Sequence, residues 1–207
     1  MLLPKPTFFN LSTEKQELLI NAAKKEFSRV PLYEASISNI IKDAEIPRGS
    51  FYQYFHDKED IFFFLLETYS THFYDQFISI IKLNNGDLFE SFIDWFKFIL
   101  INFEEPENRQ YFKNAFLNMN HDIQTTFTKN FYDETVKSRL FELQGLLNSE
   151  NINIKDEEDL YHILKIMMVV TFQNLVYVFA KELPIHEALR TFSLELELLK
   201  KGFYKDS

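Results

Sequence analysis

Arg48, Ser50, Gln53 and Tyr54 fall within seven consecutive residues, and their side chains are of the types that grip and read nucleic acid. A guanidinium bonds guanine O6 and N7 together, a carboxamide serves adenine, and hydroxyls donate to phosphate. These four are read as the polar front of a helix, while Phe51 and Phe55, four residues apart, share one side and anchor it. Phe51 keeps two roles open, since its ring can fill a small core or stack on a thymine methyl. Gly49 lets the backbone approach a partner closely. Upstream, Ile37, Ile40, Ile41 and Ala44 recur at helical spacing, a polar corner follows, and a new apolar period begins at Phe51. Residues 36–58 therefore spell two short helices and a tight turn, the pattern of a DNA-reading helix-turn-helix.

Such a motif needs a scaffold. The chain has 207 residues, 46% of them hydrophobic, with only 4 Gly and 6 Pro, which favours a helical protein over a many-stranded sandwich or barrel. Its pattern predicts about nine helices. One runs from Thr13, at capping-box spacing from Gln16, to about Arg29, where Pro31 stops it. Two short ones follow within 36–55. A long helix over 58–83 ends at the turn residues Asn84-Asn85-Gly86-Asp87. Further helical patterns cover about 88–103, 106–118, 123–147, 157–183 and 185–204.

With no cysteine, disulfides and thiolate metal sites are excluded. The first residues lack the charged and apolar regions of a signal peptide. The longest apolar tract, Ile163–Ala180, is interrupted by Lys165, Gln173 and Asn174 and reads as a buried helix. A soluble, cytoplasmic protein is expected, with no membrane partner.

Phe27, Ser36-Ile37, Ile40, Ala44, Ile46, Arg48 to Tyr52, Tyr54-Phe55 and Lys58-Glu59 resemble the N-terminal signature of the tetracycline-repressor (TetR) family of bacterial transcription regulators, over about residues 13–62. The resemblance implies an all-α fold, with a three-helix DNA-binding domain over 1–57 and a larger helical domain for effector binding and dimerisation over 58–207. It implies a double-stranded DNA operator as partner. Ser36 and Ser38, at the start of the first motif helix, then donate to phosphate beside the helix N-terminus. Tyr52, Tyr54 and Lys58 match positions that touch backbone phosphates in the family. This chain departs from the pattern at Pro31, Glu45 and Pro47, which replace a helix-ending glycine, a turn glycine and a capping hydroxyl residue. Proline suits a first helical turn, but a Glu at positive φ costs more than Gly.

The body offers two functional surfaces. In the last two helices, Leu160, Ile163, Leu164, Met167, Leu175 and Val178, then Leu189, Phe192 and Leu196, spread over more than one helical face. A homodimer through these helices is expected, which sets two recognition helices on successive major grooves. Phe92, Trp95, Phe96, Phe116, Met119, Phe131, Met168 and Phe172, from several helices, suit either a solid core or a cavity for a small apolar or aromatic effector. Asn174 would orient the polar end of such a ligand.

The function implied is a dimeric repressor released from a palindromic operator by an apolar effector. A body that docks a protein or organises DNA is the alternative. Charge bears on both: residues 1–58 hold 8 Lys and Arg against 7 Asp and Glu, whereas the rest hold 14 against 24. A nearly neutral module on an acidic body implies few phosphate contacts. No nucleophile, base and orienting group come together in the sequence, so neither an enzyme, a cofactor nor a metal site is expected.

Overall fold

The computed structural model describes residues 4–132, 137–148, 154 and 156–203. Among the described residues, regular structure is helical throughout: α1 (Pro6–Phe9), α2 (Thr13–Arg29), a 3-10 turn (Leu32–Glu34), α3 (Ile37–Asp43), α4 (Arg48–Tyr54), α5 (Lys58–Leu83), α6 (Leu88–Asn102), α7 (Pro106–Leu117), α8 (His121–Tyr132), α9 (Lys137–Leu146), α10 (Glu157–Lys181) and α11 (Ile185–Phe203). Eleven α-helices thus stand where about nine are expected. One addition is α1, whose first position is Pro6, a place where the missing N–H costs nothing. The other arises because α8 and α9 occupy the stretch read as one helix over 123–147.

The helices form two compact units. Unit one contains the chain up to Tyr69 together with Phe103–Thr126, and unit two contains Ser70–Asn102 and the chain from Phe127 onward. Packing therefore divides the chain differently from a boundary after residue 57, because α7 and the start of α8 join the helix-turn-helix.

In unit one, the N-cap of α2 is Ser12, one residue before the capping box expected at Thr13. The Ser12 carbonyl accepts the Gln16 amide at 3.0 Å, and Gln16 Nε2 donates back to the Leu11 carbonyl at 3.0 Å. Leu19, Ala22, Ala23 and Phe27 form its buried stripe, and Val30, extended ahead of Pro31, ends it. Helix α7 then fastens that end. Its N-cap Glu105 accepts the amides of Glu107 and Asn108 at 3.1 and 2.7 Å, which holds its carboxyl below the ordinary range. Asn114 Nδ2 donates to the Phe27 and Ser28 carbonyls at 2.9 and 3.0 Å, satisfying two groups that α2 leaves open. Ser28 Oγ donates to the Glu107 carbonyl, and Lys24 pairs with Glu107 at 3.2 Å.

Unit two is built on rings. Phe77, Phe92 and Trp95 meet edge to face, Trp95 Nε1 donates to the Phe73 carbonyl at 2.8 Å, and Phe96 stacks on Phe192 with centroids 4.1 Å apart. Helix α10 is long and apolar enough to cross a bilayer, yet Leu160, Leu164, Met167, Met168 and Leu175 are buried inside the protein, and it is a core helix.

The turn from α5 to α6 has little freedom. Gly86 has φ +80°, its carbonyl accepts the Asn148 amide at 3.0 Å, and a Cβ there would stand 2.4 Å from the Leu146 carbonyl oxygen and 2.5 Å from the Asn148 nitrogen. Both conformation and space demand glycine. Gly86→Ala is expected to cost about 2 kcal/mol or more of stability, seen as a lower midpoint in urea unfolding followed by circular dichroism. A midpoint equal to that of the unsubstituted protein would show that this turn is not constrained.

Candidate nucleic-acid interface

Helix α3, the turn Ala44–Pro47 and helix α4 form the helix-turn-helix. Ile40, Ala44, Phe51 and Phe55 are at most 4% exposed and make its inner face. Phe51 is fully buried, 5.8 Å from the Phe55 ring, and Phe55 lies 5.1 Å from Phe8 of α1. Of the two roles open to Phe51, the core is the one it takes. A ring with no exposed surface cannot stack on a base, so Phe51 leaves the set of DNA-contacting candidates.

On the outer face, Arg48, Gly49, Tyr52 and Gln53 are exposed, and Ser50 and Tyr54 are half-buried. The Arg48 guanidinium donates to Ser38 Oγ at 3.3 Å and to the Tyr52 hydroxyl at 3.4 Å, and lies 5.9 Å from the centre of the Tyr52 ring. Three side chains from two helices are thus brought together on one surface. Gly49 has open space where a Cβ would be, so nothing within the free protein requires glycine there.

The turn carries the cost that the sequence implies. Glu45 has φ +54°, the left-handed region where a side chain costs about 1–2 kcal/mol relative to glycine. Pro47 occupies the N-cap of α4, extended, with no side-chain cap.

Of the expected phosphate donors, Lys58 is engaged inside the protein through its ammonium, and Ser36 through its backbone amide alone. Lys58 Nζ donates to the Tyr33 and Ala35 carbonyls at 2.9 and 3.0 Å, tying the start of α5 to the segment before α3. Ser36 is the N-cap of α3, yet its side chain caps nothing. Instead its amide donates to Glu26 Oε1 at 2.8 Å.

Glu26 is buried on the same stripe of α2 as Ala22, Ala23 and Phe27. It is 4% exposed and accepts from Arg29 at 2.8 and 2.9 Å, from the Ser36 amide and from Asn39 Nδ2 at 3.1 Å. Burial pushes its carboxyl up, but the hydrogen bonds from Arg29, Ser36 and Asn39 and the Arg29 charge outweigh this and hold it below the ordinary 4.5. One carboxylate therefore fixes α3 to α2. The signal was present, since a Glu between Ala23 and Phe27 on a buried stripe has to find partners.

The aromatic residues proposed for an effector cavity are divided between the two units. Phe116 and Met119 belong to unit one, where Phe116 packs on Phe112 at 5.6 Å. Phe92, Trp95, Phe96, Met168, Phe172 and Asn174 belong to unit two. There the described rings close on one another, Phe172 on Phe127 at 4.9 Å, and Asn174 Nδ2 donates to Glu195 Oε2 at 2.6 Å and to the Val170 carbonyl. The Phe131 side chain lies outside the described residues.

A short helix with a packed inner face and a polar outer one, carried on an all-helical chain, defines the class of helix-turn-helix regulators. Residues 19–64 match the model of bacterial regulatory proteins of the tetR family, and residues 87–203 match that of the tetracyclin repressor-like C-terminal domain. The chain belongs to the TetR family and is a DNA-binding transcriptional regulator. The HTH-type transcriptional regulator HbdR of Aromatoleum sp. (strain CIB) is 40% identical over 57 residues, 28% of this chain and 25% of HbdR. The match thus spans about a quarter of the length of that curated relative. E. coli NemR in its reduced form superposes with a TM-score of 0.64 at 14% identity, over 94% of this chain and 98% of NemR. The fatty acid degradation regulator FadR of Bacillus halodurans does so with 0.60 at 16% identity, over 87% and 96%. A TetR-family regulator of Syntrophomonas wolfei gives 0.59 at 21% identity, over 90% and 95%. At these identities the likeness is one of fold.

Because the Glu26 carboxyl lies below its unfolded value, its contribution is complete above about pH 4.5 and is lost as pH falls through the folded value. Glu26→Gln is expected to cost about 2 kcal/mol at pH 7, with the gap to the unsubstituted protein narrowing in acid. Unfolding by urea at pH 7 and at pH 4 measures both. A gap that is the same at the two pH values would contradict the role of the ionised carboxylate.

Proposed function

We propose that the protein is a dimeric, ligand-responsive repressor that reads a palindromic operator and is released from it by an apolar or aromatic effector. The observation that carries the DNA part is the exposed grouping of Arg48, Ser38 and Tyr52. In this reading Arg48 turns from its intramolecular partners to guanine O6 and N7, and Gln53 reads a neighbouring base. Ser36, Ser38, Ser50, Tyr52 and Tyr54 hold the backbone, and Gly49 lets it come close. Lys58 has one of its three N–H groups left for phosphate after serving two carbonyls. A protein that works on DNA in this way belongs in the cytoplasm and needs no catalytic group.

Dimerisation is supported by apolar side chains that face outward on the last two helices. Ile166, Val169 and Tyr177 of α10 are 41–51% exposed, and Leu194 and Leu198 of α11 are 58% and 60% exposed. A second copy of the chain would cover them. Sensing is supported by a cleft of about 280 Å³ in unit one, where Leu32, Phe62, Phe63 and Ile123 offer apolar surface beside a polar rim that includes Glu59 and Asp122. It abuts the first turns of α5 and the segment that Lys58 holds. A ligand there would bear on the support of the helix-turn-helix directly, and this cleft stands as a candidate effector site beside the Phe92, Trp95 and Phe96 region. Only differential affinity can release DNA, and a 100-fold loss requires about 2.7 kcal/mol of coupling. Membership of a regulator family favours this reading over a body that docks a protein or organises DNA.

Genomic fragments retained by the purified protein are expected to carry an inverted repeat with half-site centres about 34–36 Å apart. Arg48→Ala should reduce discrimination at one position of each half-site by about 1–3 kcal/mol, measured on operators substituted base by base. Retention without any repeat, or discrimination unchanged by the substitution, would overturn the assignment. Leu194→Glu with Leu198→Glu is expected to convert the dimer to a folded monomer in sedimentation and to abolish tight operator binding. A dimer that persists would place the interface elsewhere.

A further inference from the structure

Helix α4 has seven residues, and its last turn leaves carbonyls that no residue within the helix can satisfy. The Phe51 carbonyl takes the Phe55 amide at 3.0 Å. The next three are all met by one short segment outside the family match, which begins at residue 19. Lys5 Nζ donates to the Tyr52 carbonyl at 2.7 Å, the Thr7 hydroxyl donates to the Gln53 carbonyl, and the Lys5 amide donates to the Tyr54 carbonyl at 2.8 Å. The segment is itself anchored. Phe8 is 1% exposed and packs on Tyr54, Phe55 and Phe64, with ring centroids 6.5, 5.1 and 5.5 Å away. The Lys5 ammonium also stands where a helix C-terminus favours a cation.

We propose that Lys5 and Thr7 are positioning residues for operator binding: the segment Lys5–Phe9 caps the C-terminal end of the recognition helix and holds it at the angle and depth at which Arg48 and Gln53 meet the bases. The proposal rests on the reading that α4 enters the major groove. Its physical reason is length. A helix of two turns has most of its backbone groups at an end, so capping decides whether the last turn, which bears Tyr52, Gln53 and Tyr54, stays helical. Arg48, at the opposite end, moves with it. The segment acts through the helix it holds and makes no base contact of its own.

The test uses the full chain and the operator retained by the unsubstituted protein. Thr7→Val keeps the shape and removes the donor, at an exposed position where folding should be unaffected. It is expected to weaken operator binding about three- to ten-fold and to speed amide hydrogen exchange in residues 52–56 without changing exchange in α2. Thr7→Ser, which restores the hydroxyl, should restore both. Lys5→Met should weaken binding at least as much, with the slope of log affinity against log salt nearly unchanged. A Thr7→Val protein that binds and exchanges like the parent would overturn the proposal. So would a slope that falls by about 0.9 per Lys5 removed, since Lys5 would then be a phosphate contact instead of a cap. If Arg48→Ala leaves binding unchanged while Thr7→Val still speeds exchange at the end of α4, the groove reading fails and the cap stands.

Discussion

A recognition helix of seven residues cannot hold itself together in water, because nucleation costs more than two turns of backbone hydrogen bonds return. The arrangement of unit one answers that constraint. Phe51 and Phe55 are buried on the inner side of α4, Phe8 closes over them, and Lys5 and Thr7 meet its open carbonyls. With the inner face and one end occupied, the exposed side chains are left to be arranged for DNA. The same need extends backward through the fold. Helix α3, also of seven residues, has no side-chain cap of its own and takes one from Glu26 of α2. Helix α2 in turn has its last carbonyls closed by Asn114 of α7. Each short element borrows its end from the next.

This borrowing explains why a module with a formal charge near neutrality is also poor in free cations. Lys24 pairs with Glu107, Lys25 with Asp43 at 2.7 Å and Arg29 with Glu26, while Lys5 and Lys58 serve backbone carbonyls. Positive charge goes into holding the helices, which suits the proposed reading of DNA through a small number of well-placed contacts in place of a diffuse basic field. A site of that kind tolerates little error in the angle of its recognition helix. The strained turn at Glu45, with φ +54°, persists in that setting because both flanking helices are pinned independently of it.

Helix α7 lies within the residues that match the C-terminal family domain, yet it packs in unit one against α2. Family boundaries follow sequence similarity, whereas packing follows which apolar faces and open helix ends can be satisfied together. The rows of contacts from α7 to α2 and from Lys58 to the segment before α3 provide physical links by which an event at the cleft beside Phe62 and Phe63 would reach the helix-turn-helix. Those links are side-chain to backbone bonds, which break or form as units and so suit two-state behaviour.

Much of this protein was legible in its residues taken in order. The helical content, the motif over 36–58, the stop at Pro31 and the turn at Asn84 to Asp87 follow from local spacing, because helix periodicity and turn chemistry act over a few residues, and the family was legible as a resemblance carried by the residues of that motif. Even the positive φ at Glu45 could be anticipated from the glycine it replaces. What the tertiary structure alone decided is how each side chain spends its polar groups. Glu26, on the apolar stripe of α2, is the cap of another helix, Lys58 looked free for phosphate and holds two carbonyls, and Phe51 stood between core and groove until burial settled it. The aromatic residues that suited either a solid core or a cavity are divided between the two units. Lys5 and Thr7 carried no signal at all, since their partners Tyr52, Gln53 and Tyr54 lie far along the chain. Local pattern determines where helices begin and end, but hydrogen bonds to an open helix end and the closing of ring against ring depend on distance in space, which spacing along the chain does not encode.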